Sequence, residues 1–391
     1  MSIVRVGIVG IGNMGSAHTS CIADGNISGM EAVAVCDINI KALEKISQKY
    51  PQLKCYTDYR EMIDSGSIDA VVVAVPHRLH TIIGEYALKA GLHIYIEKPV
   101  DVTVSAAKRL NEAAKNSDKV FCMGFNQRPE PAFKKAREIV TSGQLGELKR
   151  SIWIVTNWYR TQAYYDSGEW RATWSGEGGG VLLNQAPHNL DLWQWICGMP
   201  ESVTAYCDVA KYHNIEVEDD VTIFTRYENG AVGTFIATTG EYPGTNRLEI
   251  SGSLGKIVVE EGKLKWWKLN ENERDFCFNS EKSFPQIDME YEELTFERGK
   301  LGHYATMQNF ADAILEGETL IAPGEEGINE LTLSNAAYLS QWTGNKEIKL
   351  PFDEELFDKL LEEKAADSVW KKTTQEEQLS SGYNERWQVR W

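Results

Sequence analysis

The stretch Val6-Gly7-Ile8-Val9-Gly10-Ile11-Gly12-Asn13-Met14-Gly15 decides the fold. Residues 4–9 are mostly apolar with little alternation, as in a central parallel strand, and they run straight into G-x-G-x-x-G. Gly10 permits a tight turn, Gly12 lets the backbone approach a pyrophosphate, and Gly15 lets the next helix pack closely. That helix is predicted from Met14 to about Ala23. The loop residues Ile11, Asn13 and Met14 join the glycines as candidate cofactor contacts. A second strand, Glu31-Ala32-Val33-Ala34-Val35-Cys36, ends at Asp37, 22 residues beyond Gly15. This is close to the usual interval to the acid that bonds an adenosine ribose. A glycine pattern alone is weak; strand, glycine turn, helix, strand and terminal acid together are specific. Asp37 would repel the 2'-phosphate of NADP, and the next residues, Ile38-Asn39-Ile40, offer no arginine to neutralise one. NAD is therefore the expected cofactor, although Lys41 and Arg60 are cations that the fold could bring near.

The βα rhythm continues. Asp69-Ala70-Val71-Val72-Val73-Ala74-Val75 reads as a buried strand that ends in Pro76-His77-Arg78-Leu79-His80. A helix follows over Thr81–Ala90, closed by Gly91. The strand His93-Ile94-Tyr95-Ile96 then exits at Glu97-Lys98-Pro99. Ligands of open parallel sheets sit beyond the carboxyl ends of the strands. Those ends carry Gly10, Asp37, Ile38, Val75, Pro76, Glu97 and Lys98. His80 belongs to the same edge, where packing or capping of the following helix is its simpler role. A lysine held where a nicotinamide ring should lie is a candidate for hydroxyl or carbonyl chemistry.

At 391 residues the chain has room for two domains, and 42% hydrophobic residues suffice for sizeable cores. A formal charge of −17 argues against nucleic acid or an anionic membrane surface as the main partner. Backbone amides can still hold phosphate. Seven widely spaced cysteines suggest free thiols in a reducing compartment, and no pair has zinc-ligand spacing. No metal is expected. The N-terminus enters a strand at once, and no apolar run is long enough to span a bilayer. These features together predict a cytoplasmic protein.

Beyond Gly124-Phe125-Asn126-Gln127-Arg128 the pattern changes. A helix over Pro131–Thr141 leads to strands near 147–158, 202–213, 219–228, 231–239, 246–252 and 255–269. Asn229-Gly230 signals a hairpin between two of them. Such a run predicts a large, mainly antiparallel sheet. Helices near 303–316 and 327–342 are expected to pack on the first domain. A charged amphipathic helix is expected from Asp353 to about Lys371. The tail carries Tyr383, Trp387 and Trp391, which suggests docking on the body or on a partner subunit.

The richest segment is 157–198. Asn157-Trp158-Tyr159-Arg160 ends a strand, and Tyr164, Tyr165, Trp170 and Arg171 follow in a loop. Aromatic faces there can stack on sugar rings, with Trp158, Tyr159, Tyr164 and Trp170 as candidate platforms. Filling core is the commoner role for any one of them. Arg160 and Arg171 could also bind a carboxylate or phosphate. Gly178-Gly179-Gly180 precedes Val181-Leu182-Leu183-Asn184-Gln185-Ala186-Pro187-His188. Pro187 suits the first turn of a helix, and His188 and Asp191 share one helical face.

The glycine loop, Ala74–His80, Ala87–His93, Glu97–Pro99 and Gly124–Arg128, in this order and spacing, resemble the glucose-fructose oxidoreductase, inositol dehydrogenase and MocA family over roughly residues 3–345. The resemblance implies a Rossmann dinucleotide-binding domain over 1–125. It also implies an α+β domain with a mainly antiparallel open sheet over 126–391, for substrate and oligomerisation, with 353–391 a helical extension and tail. Asn126 joins the cofactor residues. Lys98 matches a lysine that contacts the reacting oxygen, and Pro99 a proline often preceded by a cis bond. The family's second signature places an acid four residues before an acid/base histidine. His188 matches the histidine, but the acid position is Asn184, and an amide cannot act as a carboxylate base.

The expected catalytic group is therefore Lys98, His188 and Asn184. Tyr159, Arg160, Tyr164, Trp170 and Arg171 join them toward substrate. The implied activity is NAD-dependent hydride transfer at a secondary alcohol of a sugar, glycoside or cyclitol. A glycoside hydrolase using transient ring oxidation, and a sensor that binds NAD and sugar without turnover, stay open. The family also implies a homodimer or homotetramer formed through the free face of the second sheet, with Ile152, Trp153, Val209 and Phe235 as candidates for it.

Overall fold

The computed structural model describes residues 3–297, 299 and 301–369. Six strands form the first sheet: β1 (Val4–Val9), β2 (Met30–Cys36), β3 (Lys54–Tyr56), β4 (Ala70–Val73), β5 (His93–Ile96) and β6 (Phe121–Met123). They are all parallel, in the order β3-β2-β1-β4-β5-β6. The strands are joined by helices α1 (Asn13–Ala23), α2 (Ile40–Lys49), α3 (Tyr59–Asp64), α4 (His80–Lys89) and α5 (Val104–Lys115). The near-continuous apolar runs of β1 and β4 are buried, as a sheet covered on both sides requires. The order reverses beside β1, so the crevice between β1 and β4 is the expected ligand position.

The second sheet has nine strands: β7 (Leu148–Val155), β8 (Ser202–Val209), β9 (Glu218–Arg226), β10 (Val232–Thr238), β11 (Asn246–Gly252), β12 (Gly255–Glu260), β13 (Lys263–Leu269), β14 (Met289–Thr295) and β15 (Ile348–Lys349). Their order is β14-β13-β12-β11-β7-β10-β9-β8-β15, antiparallel except for the β7–β10 pair. The run near 255–269 is two strands, not one. Glu261 and Gly262 both take positive φ, so the chain folds back as a tight hairpin turn. Strand β14 was not foreseen; it is mostly exposed and acidic, which hides any alternating pattern.

The remaining helices are α6 (Pro131–Thr141), α7 (Gln162–Asp166), α8 (Pro187–Cys197), α9 (Glu273–Asn279), α10 (His303–Glu316), α11 (Gly327–Trp342) and α12 (Glu354–Ala366). Helices α6, α8 and α11 cover one face of the large sheet. There Trp193 of α8 stacks on Phe235 at 5.5 Å and donates to Ser151 Oγ at 3.0 Å. Trp153 donates to Asn246 Oδ1 at 2.9 Å. Trp153 and Phe235 therefore belong to the helix-covered core and not to the free face, because alternation along β7 and β10 turns them inward. Ile152 lies on the opposite side and is only partly buried, whereas Val209, in step with the buried Val203, Ala205 and Cys207, is exposed at the end of β8.

Helix α10 returns to the first sheet, where Met307, Phe310 and Ala311 join the core around Val4, Val6 and Ile8. Helix α12 is shorter than expected: Asp353 caps its start by accepting from Leu356 N at 3.0 Å, and it ends at Ala366. The aromatic tail from Trp370 onward lies outside the described residues. No helix among the described residues is long and apolar enough to cross a membrane.

The two sheets are tied by a buried ion pair. Arg128, just beyond β6, donates from Nε and Nη2 to both carboxylate oxygens of Asp191 on α8, at 2.8 and 2.6 Å. Its Nη1 reaches Ile321 O and Glu326, and its guanidinium lies over Phe125 and Trp195. Asp191 is thus a partner of Arg128. Removing one member of such a pair strands a buried charge. Asp191→Ala should lower unfolding stability by about 3–5 kcal/mol, read from the denaturant midpoint. Arg128→Met with Asp191→Leu should cost less than the single change.

Candidate active site

The glycine turn is built as its pattern requires. Gly10 has φ +88°, and a Cβ there would meet Ala74 O at 2.4 Å. A Cβ on Gly15 would lie 1.7 Å from Gly10 O, so helix and turn can touch only through glycine. At Gly12 a Cβ would meet nothing within 4 Å, which leaves the approach to the loop open. Helix α1 starts at Asn13 with Gly12 as its N-cap and no side-chain cap. Its first amides and its dipole are suited to a pyrophosphate.

Asp37 lies across the crevice mouth at the end of β2. Its carboxylate accepts from Ile11 N at 2.6 Å and from Asn39 N at 2.7 Å. It thereby pins the glycine loop to the second strand while remaining partly exposed. Ile38 beside it is 91% exposed. These features fit the adenosine half of NAD. Arg60 packs on Tyr59 and sits 3.7 Å from Asp58, and the Lys41 amide belongs to the α2 cap formed by Asn39.

Val75 and Pro76 extend the end of β4, and the Lys98–Pro99 bond is cis, as the resemblance implies. The His80 ring ties these two edges together. Its Nδ1 lies 2.7 Å from Pro99 O and its Nε2 lies 2.8 Å from Val75 O. Burial lowers its pKa, while the two carbonyls favour the protonated ring. Glu97 points beneath the edge, toward α1 and α10: His18 Nε2 is 2.8 Å and His303 Nε2 3.4 Å from its Oε1. Burial alone would raise the Glu97 pKa, but His303 and His18 hold it well below the usual carboxylate range.

Asn126 Nδ2 is 3.2 Å from His303 Nδ1. An amide donor there leaves the His303 proton on Nε2, facing Glu97. The ligand atoms of His18, Glu97 and His303 lie within 4.8 Å of one another, close enough for a metal ion.

Lys98 is partly buried on the domain boundary and donates from Nζ to Asn184 O at 2.6 Å. Burial lowers its pKa; Glu97, Glu177 and Glu330 oppose that and Arg171 adds to it. His188 occupies the first turn of α8, is 8% exposed, and its Nδ1 has no hydrogen-bond partner among the described residues. Burial, with the charge of Lys98 and then that of His303, drives its pKa well below the ordinary imidazole value. Burial and the neighbouring charges thus favour the neutral form of His188.

The substrate-side residues form a network around Tyr164. Its hydroxyl accepts from Arg171 Nη1 at 2.8 Å and Gln185 Nε2 at 3.2 Å, and donates to Asn184 Oδ1 at 3.4 Å. The Arg160 guanidinium lies 5.0 Å and that of Arg171 4.5 Å from the Tyr164 ring centroid. Trp170 meets His77 edge-on at 5.8 Å. Tyr159 is exposed and sits 5.6 Å from Tyr242. Trp158 is buried instead, with Nε1 on Asn189 Oδ1 at 3.1 Å, so it braces α8.

Two supports of this loop were not singled out from sequence. Glu218 accepts from Gly180 N and Leu182 N and from the Tyr338 hydroxyl, at 3.0, 3.0 and 2.7 Å; burial pushes its pKa up to about 7. Trp174 packs edge-on against Tyr338 and Trp342, which stack on one another, with Phe357 of α12 stacked on Trp342. The third residue missed is Glu177, 1% exposed, which accepts from Ala172 N at 2.6 Å and from the Asn184 side-chain amide. An acid directly before three glycines was the available signal for it.

Residues 4–125 match the model of an oxidoreductase family with an NAD-binding Rossmann fold, and residues 133–258 match a Gfo/Idh/MocA C-terminal domain model. Myo-inositol 2-dehydrogenase of Thermotoga maritima is 25% identical over 339 residues, 85% of this chain and 95% of that protein. D-glucoside 3-dehydrogenase of Escherichia coli is 27% identical over 368 residues, 88% and 97% of the two chains. The WlbA dehydrogenase from Bordetella pertussis, solved with NADH and UDP-GlcNAcA, superposes with a TM-score of 0.75 at 26% identity, covering 90% of this chain and all of that one.

Titration with both cofactors should give tighter binding of NAD than of NADP; the reverse order would remove Asp37 from its assigned role. Asp37→Ala should weaken NAD by about tenfold, the equivalent of one charge-assisted hydrogen bond, and narrow the difference between the two.

Proposed function

The chain belongs to the Gfo/Idh/MocA oxidoreductase family, and from that premise we propose that it is an NAD-dependent dehydrogenase of a sugar, glycoside or cyclitol secondary alcohol. The observation that carries this reading is Lys98. Its amine is partly buried, of lowered pKa, and held at the carboxyl end of β5 by Asn184 O at 2.6 Å. Tyr164, Trp170, Arg171, Arg160 and Tyr159 supply the mixture of aromatic face and hydrogen-bonding group that a polyol ring requires. The dehydrogenases of inositol and of a glucoside among its relatives support the substrate class.

NAD bound along the glycine loop, Asp37 and the β4 and β5 edges would supply the hydride acceptor. In the oxidation direction the neutral amine of Lys98 takes the hydroxyl proton, and in the reverse direction its ammonium returns it. The neutral imidazole of His188 bonds the same hydroxyl and fixes its orientation. Lowering of the Lys98 pKa by burial increases the neutral fraction near physiological pH. Asn184 orients without carrying charge.

A screen of sugars, glycosides and inositols with NAD, followed at the NADH wavelength, tests the reading. Lys98→Ala and His188→Ala should each lower turnover by about two to four orders of magnitude, with NAD affinity changed far less. Glycoside cleavage without net NADH release would favour a hydrolase, and substantial turnover in the double variant would move the centre elsewhere.

We also propose assembly through the open face of the large sheet. Tyr206, Phe224, Val232 and Tyr291 are exposed on its strands, and Ile152, Ile154 and Ile236 lie partly buried among them. Burial of such a strip against a second copy would remove its apolar surface from water. Light scattering at micromolar concentration should report a dimer or tetramer; a monomer would reject this surface.

A further inference from the structure

We propose that Glu177 is the positioning residue that sets Lys98 through Asn184, whose side-chain amide it holds. This rests on the dehydrogenase reading. Glu177 Oε1 accepts from Asn184 Nδ2, and Oε2 from Ala172 N at 2.6 Å. With Nδ2 turned to Glu177, Asn184 Oδ1 must face Tyr164, whose hydroxyl donates to it at 3.4 Å, while Asn184 O receives Lys98 Nζ at 2.6 Å. One residue therefore joins an acid and a phenol through its side-chain amide and the lysine through its backbone carbonyl. The amide at 184 is complementary to Glu177: an aspartate there would set a partly buried carboxylate against a buried one with no donor between them. The sequence places the acid on the glycine loop and the amide on the turn before α8.

The groups around Lys98 decide the sign of a pH effect. Glu97, Glu177 and Glu330 favour its charged form, whereas Arg171 and burial disfavour it; His77, His188 and His303 also feel its charge. Burial raises the pKa of Glu177 itself, opposed chiefly by Arg171 and further by Ala172 N, Asn184 and Lys98. Removing the Glu177 charge takes away one stabiliser of the ammonium, so the Lys98 pKa must fall.

The experiment compares Glu177→Gln, Asn184→Asp and the double exchange on the full chain. It uses NAD and a substrate found by the screen, with kcat and KM followed across pH. Glu177→Gln should lower kcat by about tenfold or more, change KM less than threefold, and move the ascending limb of alcohol oxidation about one pH unit lower. Asn184→Asp should also lower kcat. The double exchange, which returns one acid and one amide to the pair, should recover kcat to within about threefold of wild type and restore the limb. Glu177→Asp is the second variant, should Gln not fold: it keeps the charge, so the limb should stay in place while kcat falls. An unshifted limb in Glu177→Gln, a shifted one in Glu177→Asp, or a double exchange no better than the product of the singles overturns the proposal. Lys98→Ala separates the two levels. If it abolishes turnover while Glu177→Gln leaves the limb unmoved, only the role of Glu177 fails; if it remains active, the dehydrogenase centre itself is misplaced.

Discussion

The Arg128–Asp191 pair is the constraint on which the geometry of the site depends. Lys98 leaves the first sheet and His188 sits on a helix of the second, so their juxtaposition requires the two sheets to be in register. Arg128 follows β6 within five residues and grips α8 three residues after His188, about one helical turn away. Its planar fork matches the carboxylate in two parallel bonds, which restrains angle as well as distance. Burial removes competing water, and the further contacts to Ile321 O and Glu326 leave little of the guanidinium unsatisfied. A hydrophobic pair would provide adhesion with less directional restraint.

A second organising feature is the number of carboxyl groups buried around a single lysine. Glu97, Glu177 and Glu330 are each fully enclosed and each bears on Lys98. They differ in how they are kept. Glu97 is bracketed by two imidazoles and stays ionised, Glu177 is held by an amide and a backbone N–H, and burial raises Glu330 well above the usual range. Desolvation of the amine and attraction from the acids act in opposite directions on the lysine. This suits a group that must both accept and return a proton.

Much of the first half was legible from residue order. The glycine spacing, the apolar runs and the acid after β2 are local features, and each follows from one requirement of a parallel strand meeting a pyrophosphate. Helices α6, α10 and α11 were similarly readable from period and punctuation. The hairpin at Glu261-Gly262 was not, because an alternating pattern on both sides conceals a two-residue reversal. Strand β14 was not either, since an exposed edge strand needs no apolar face. The inward turn of Trp153 and Phe235 depends on which side the helices cover, and alternation alone is symmetric between faces.

The sequence by itself determined the nucleotide-binding half, because that depends on spacing within single βα units, while Lys98, His188 and the amide at 184 stand out in it through the family resemblance. Only the tertiary structure decided the partners. Asp191 lies on the face of His188 yet belongs to Arg128; Trp158 looks like a platform yet braces α8; Glu97 stands beside Lys98 yet faces His18 and His303. Glu177, seven residues from Asn184 across a glycine loop, meets it only because that loop is pinned by Glu218 and by the aromatic stack at Trp174. Side-chain direction at a strand exit or in a loop is set by packing from distant segments, and that information is carried by the whole chain at once.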